Sequence, residues 1–303
     1  MIKYKYFFGS DKRSVPYLEV LIHSFDNLKV VTVEPKQSGR GRKLKLNPVE
    51  QFAVDNNIPC VYYSENQIFE DMEIGIVVSF QKIFSEKFLS RHKNLFNIHL
   101  SILPNLRGPS PVETALLNNY SETGLTIFKI DTNIDRGPIY FQEKIFLDDD
   151  DYYASDIYLK AVDIFSIKLF KIFEILENKY FKPRFQKFGS DTNLEARMKK
   201  YDGIKIADKI FNFKDFQLQT YKFLKSDFDI TDCSSSEAKL KIRAFNVIGP
   251  AYLKIGEEVL KIHSYINKNE YKIYLKDDYI YPDMVTPSGK KKMQFSAYKR
   301  GLR

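Results

Sequence analysis

Tryptophan is absent from this 303-residue sequence, and cysteine occurs only twice. Cys60 and Cys233 make neither a disulfide framework nor a cysteine-rich zinc site, so the sequence points to a reducing compartment, the cytoplasm. No run of about 18 apolar residues occurs, so no transmembrane helix and no membrane partner are expected. The first residues, Met1 to Arg13, are too short and too mixed for a secretory signal. The dinucleotide fingerprint G-x-G-x-x-G is also missing: after Gly9 the chain reads Ser10, Asp11, Lys12, which gives no indication of NAD. The one acidic run, Asp148 to Asp151, suits a helix start better than a metal, and no metal site is expected.

What is present is a globular composition, 44% hydrophobic, with a formal net charge of +8. The length allows one large or two ordinary domains. A basic balance favours an anionic partner such as nucleic acid, although the position of the charge is more informative than its sum. Strand-like Ile2 to Phe8, a helical pattern after Pro16 and a second strand at Leu28 to Val33 read as a parallel βαβ unit. Asn47, Pro48 and Glu50 are placed to start a helix. Ile74 to Phe80 is nearly all apolar, as expected of a central strand buried on both faces. A long amphipathic helix carrying Leu159, Val162, Phe165, Leu169 and Ile172 closes the first domain near residue 180.

Three stretches carry chemistry. In the first, Asn97 to Glu113, alternation of period two puts Asn97 and His99 on one face of a strand end. An amide can hydrogen-bond a developing oxyanion and an imidazole can move a proton. A second polar cluster, Asp131 to Pro138, offers Asp135 as a carboxylate to orient His99 if the two loops meet at one end of a sheet. The third stretch, Glu34 to Leu46, packs Arg40, Arg42, Lys43 and Lys45 around Gly39 and Gly41 as a cationic loop at the carboxyl end of a strand. Towards the carboxyl terminus, short strands separated by turns from Ala251 onward suggest a small barrel, with Lys290, Lys291, Lys292, Lys299 and Arg300 as a second basic patch.

The run N-x-H-x-S-[IL]-L-P-x-x-R-G-x-x-P, with a D-x-G-like segment beyond it, resembles the folate-dependent formyltransferases. Asn97, His99 and Asp135 stand where that family carries its catalytic Asn, His and Asp. The basic loop followed by Pro48-Val49 resembles the insertion that methionyl-tRNA formyltransferases use on the acceptor arm of tRNA. The resemblance implies a Rossmann-like catalytic domain over residues 1–182, a linker over 183–208 and an OB-like tRNA-binding barrel over 209–303. It also implies 10-formyltetrahydrofolate as co-substrate, without a metal, and initiator methionyl-tRNA as the partner of a cytoplasmic monomer. Folate contacts are expected from Phe80, Gln81, Ile83, Ser101, Leu103 and Pro104. Phe80 and Gln81 replace the family's small residue and glycine. Contacts to tRNA are expected from Arg40, Arg42, Lys43, Lys45, Lys290 and Lys291. Arg107 resembles the family's Arg-Gly and reads equally as a structural clamp or a substrate contact. The alternative is a folate-dependent N-formyltransferase acting on an amino-sugar nucleotide, a class that generally lacks the long basic insertion.

Overall fold

The computed structural model describes residues 3–38, 43–147, 152–186, 205–206, 209–210, 223–268 and 270–302. The chain folds as two compact units. One gathers Met1–Gly108, Gly124–Lys144 and Lys160–Gln219; the other gathers Pro109–Thr123, Ile145–Leu159 and Thr220–Arg303.

The first unit is built on a seven-stranded sheet. Its strands are β1 (Tyr4–Gly9), β2 (Leu28–Thr32), β5 (Cys60–Tyr62), β6 (Met72–Val78), β7 (Leu95–His99), β8 (Glu122–Lys129) and β9 (Ile139–Phe146). The spatial order is β5-β2-β1-β6-β7-β8-β9. Strands β5 to β7 in that order are parallel, and β8 turns antiparallel to β7. The apolar runs explain the parallel part. Phe7, Phe8, Val30, Val31 and Ile76 are almost wholly enclosed, as central strands covered on both faces must be. Pro16 lies in the first turn of α1 (Val15–Ile22). Asn47 caps α2 (Pro48–Asp55) by accepting from the Val49 and Glu50 amides, as its sequence predicts. Ser85 caps α3 (Glu86–Arg91) in the same way. The second unit contributes α4 (Pro111–Leu117). The long helix expected after residue 151 is in fact two, α5 (Ala154–Ile167) and α6 (Leu169–Glu177), parted at Lys168. The acidic run itself lies outside the described residues.

Two expectations need correction. The cationic stretch is more than a loop: β3 (Lys36–Ser38) and β4 (Lys43–Lys45) pair antiparallel, which satisfies the backbone polar groups on their facing edges. Residues 39–42, including Arg40 and Arg42, lie outside the described residues. Residues 183–186, read as linker, are fastened to the first unit: Arg184 exchanges both backbone hydrogen bonds with Ile139, at 2.8 and 2.9 Å. Most of the remaining linker, 187–204 and 207–208, lies outside the described residues.

In the second unit Ser234 caps the helix Ser235–Phe245. Strands Ala251–Ile255, Glu258–Ile262, Met284–Pro287 and Met293–Gln294 form one antiparallel sheet, and Tyr265–Ile266, Ile273–Tyr274 and Tyr279–Pro282 form another. Ile242, Ala251, Leu260, Ile262, Val285 and Phe295 share its core. These small sheets are consistent with the expected barrel. The final helix Phe295–Arg300 was not legible, because its only buried anchors, Phe295 and Tyr298, give too short a period. No helix among the described residues is long and apolar enough to cross a membrane.

Candidate active site

The strand order reverses at β1, which has β2 on one side and β6 on the other. In open α/β sheets that reversal leaves a crevice at the carboxyl ends of the strands, where ligands bind. Ser10, directly after β1, ties down the loop after β6: its hydroxyl donates to the Ser79 carbonyl at 3.3 Å and accepts from the Gln81 amide at 3.2 Å. Ser79 itself is in the left-handed region, φ +46°. Phe80 packs inward, stacked on Phe84 with ring centroids 5.6 Å apart and edge-on to Phe8 at 5.8 Å. Gln81 and Ile83 are exposed.

Strand β7 brings Asn97 and His99 to the same edge. Asn97 is half-buried, and its amide makes no side-chain hydrogen bond among the described residues. It is thus a ready donor for a ligand oxygen. His99 is 5% exposed, and its Nε2 lies 2.9 Å from the carbonyl oxygen of Leu106. A carbonyl only accepts, so Nε2 carries a hydrogen in either charge state. The other ring nitrogen, Nδ1, faces Asp135 Oδ2 at 3.8 Å. Asp135 was expected to fix the His99 tautomer. In the structure Leu106 does so, and Asp135 supplies the charge that an imidazolium would meet.

The two loops that frame His99 are held by unusual backbone. Leu106 and Asp135 have φ of +56° and +54°, and Gly108 has +114°. Non-glycine residues hold such angles only where their surroundings impose them. Here the Gly108 amide donates to Asp135 Oδ2 at 2.8 Å and joins the loops. Ser101 donates to the Asn105 carbonyl at 2.6 Å and Thr126 to the Ser101 carbonyl at 2.6 Å. The Leu103 carbonyl accepts from Gln142 at 3.0 Å. Ser101 and Leu103 are thus enclosed braces whose side chains have no surface to offer a ligand, unlike the more open Pro104. Arg107 is 4% exposed, which decides its role as a clamp rather than a surface contact. Burial, then the nearby Arg136 charge, pushes its guanidinium below the ordinary value, while Asp135 opposes this. Gly137 cannot carry a side chain: a Cβ built there would lie 1.7 Å from the Lys129 carbonyl oxygen. Gly137→Ala is expected to cost about 2–3 kcal/mol by overpacking and to lower the melting temperature by several degrees. An unchanged thermal midpoint would refute this close approach.

Among the expected tRNA contacts, Lys45, Lys290 and Lys291 are exposed, and Lys43 lies in β4. Lys290 and Lys291 follow a turn at Gly289, φ +70°. His263 is held below its usual range by burial first and then by the charges of Lys292 and Lys261. The Leu106 carbonyl, the Gly108 amide and Ser10 were not singled out by sequence. Backbone groups carry no residue-type signal, and a lone serine after a strand is commonplace.

The fold is a Rossmann-like domain whose strand edge carries Asn97 and His99, with Asp135 facing His99. Residues 20–163 match the formyl transferase family. A methionyl-tRNA formyltransferase from Flavobacterium johnsoniae is 27% identical over 98% of this chain and 95% of its own length. Among solved structures, a methionyl-tRNA formyltransferase from Clostridium thermocellum superposes with a TM-score of 0.58 at 15% identity, covering 95% of this chain and 99% of that one. A sugar 3N-formyl transferase, solved in the presence of dTDP and 5-N-formyl-THF, gives 0.56 at 22% identity over 96% of this chain and 100% of that one. At these identities the two structures speak for the fold.

Proposed function

We propose that this protein transfers the formyl group of 10-formyltetrahydrofolate to the amino group of methionyl-initiator tRNA. The observation that carries the reading is the extent of the similarity. It covers 98% of this chain and 95% of a relative named for methionyl-tRNA. The half-buried Asn97 amide suits a ligand that brings a carbonyl to this edge, and the folate donor does so. Phe80, Gln81, Ile83 and Pro104 would hold that donor, with Ser101 and Leu103 bracing the loop beneath. When bound, the donor supplies the carbon that the amine attacks.

This chain's residues then act as follows. The Asn97 side-chain N–H donates to the oxygen on which negative charge develops. His99 Nδ1 takes the proton lost by the amine as the new C–N bond forms and returns it to the donor nitrogen as the formyl–nitrogen bond breaks and tetrahydrofolate leaves, while Nε2–H stays on Leu106. Asp135, held by the Gly108 amide, faces the resulting imidazolium. All three side chains come from one chain, which supports action as a monomer, and the cytoplasm is the compartment where both substrates occur. Basic side chains from Arg40 to Lys45, with Lys290 and Lys291, neutralise tRNA phosphates.

The deciding assay supplies radiolabelled methionyl-initiator tRNA and 10-formyltetrahydrofolate, with a dTDP-amino sugar in parallel. Formylmethionyl-tRNA is expected, and the sugar should stay unmodified. Formylation of the sugar alone would overturn the assignment in favour of the nucleotide-sugar class.

A further inference from the structure

Gln186 lies far along the chain from the catalytic strand, yet it is 8% exposed and uses its whole hydrogen-bonding capacity on the catalytic loops. Its Oε1 accepts from Arg107 Nε at 3.0 Å and Nη2 at 2.9 Å. Its Nε2 donates to the Asp135 carbonyl at 2.9 Å and the Gly137 carbonyl at 3.0 Å. The orientation of the amide is unambiguous, because a guanidinium only donates and a carbonyl only accepts. Gln186 is delivered there by the backbone pairing of Arg184 with Ile139, two residues before it.

The targets of this amide are telling. Arg107 immediately precedes Gly108, whose N–H holds the Asp135 carboxylate. Asp135 sits at φ +54°, in the left-handed region that aspartate adopts more readily than most residues. One side chain therefore ties the Arg107 side chain, on the residue before Gly108, to the backbone of Asp135 and Gly137, and so braces the loops that hold the carboxylate opposite His99 Nδ1. We infer that Gln186 is a positioning residue for the Asp135–His99 pair, clamping the two catalytic loops together through its amide. The inference rests on the formyl-transfer reading for its kinetic test but not for its structural one. Only an amide of this length fits. Glutamate would keep the acceptor for Arg107 but lose both donations and face two carbonyls with a negative charge. Methionine would keep the shape and lose all four bonds.

The test uses the full chain with Gln186→Met and Gln186→Glu, assayed with methionyl-initiator tRNA and 10-formyltetrahydrofolate well below each variant's melting temperature. Misplacement of a reacting group by about 1 Å costs on the order of 100-fold. Gln186→Met is accordingly expected to lower kcat about 30- to 100-fold with KM for both substrates within about threefold, and Gln186→Glu about tenfold. Independently of turnover, deuterium uptake by peptides spanning residues 104–108 and 131–138 should rise in both variants. Should Gln186→Met fail to fold, Gln186→Glu carries both readouts. A kcat within about threefold of wild type, or a loss matched in KM, would overturn the positioning role. Unchanged deuterium uptake in those loops would overturn the clamp. Wild type that is inactive on tRNA but loses loop protection on substitution would count against the functional reading and leave the clamp supported.

Discussion

Asn97→Ala is expected to lower kcat for formyl transfer by about 100- to 1000-fold while leaving the melting temperature close to wild type. The size follows from the site. The amide sits on β7, between β6 and β8, so its position is set by backbone on both sides. It makes no side-chain hydrogen bond among the described residues that folding would lose. Its full value is therefore available to an oxygen whose charge grows during reaction, in a half-buried place where water competes weakly. Asn97→Asp should be at least as damaging, because a carboxylate there would oppose the developing negative charge. His99→Ala should cost about 100- to 10000-fold through loss of proton transfer, and it also removes the partner of the Leu106 carbonyl. A tenfold or smaller loss in Asn97→Ala would rule out the oxyanion role.

The second large effect concerns the basic stretch. Arg40→Ala with Arg42→Ala should lower kcat/KM for methionyl-tRNA by about 10- to 100-fold, mostly through KM at moderate salt. Each phosphate contact contributes about 0.7 to 0.9 to the slope of log affinity against log salt. The double variant should therefore lose about 1.4 to 1.8 from that slope if both arginines neutralise phosphate. Formyl transfer to a small amine acceptor, or slow hydrolysis of the donor, should be unaffected, because Asn97 and His99 stand on the seven-stranded sheet, of which β3 and β4 are no part. Unchanged salt dependence with full tRNA activity would remove the stretch from the tRNA-binding surface.

Much of the first unit was readable because its signals are local. An apolar run such as Ile74 to Val78 matches a buried central strand, and Asn47-Pro48 is a helix start on capping chemistry. Asn97 and His99 were legible because strand alternation alone puts them on one face. Lys168, which divides the long helix, carries no breaking signal, and the structure offers no reason at that residue. The β3–β4 pair was missed because three-residue strands rich in lysine lack an apolar face to betray them.

The sequence by itself determined the parallel sheet, the Asn–His pair and its family resemblance, and the basic stretches, since each is written in neighbouring residues and short periods. Only the tertiary structure decided what holds the site in working form. It replaced Asp135 with the Leu106 carbonyl as the group that fixes the His99 tautomer, enclosed Ser101 and Leu103, made Arg107 a clamp, and brought Gln186 from an apparent linker to the back of Asp135. The reason is physical. Hydrogen bonds of backbone carbonyls and amides, and contacts between segments distant along the chain, depend on where folding places them, and no residue type or spacing records that placement.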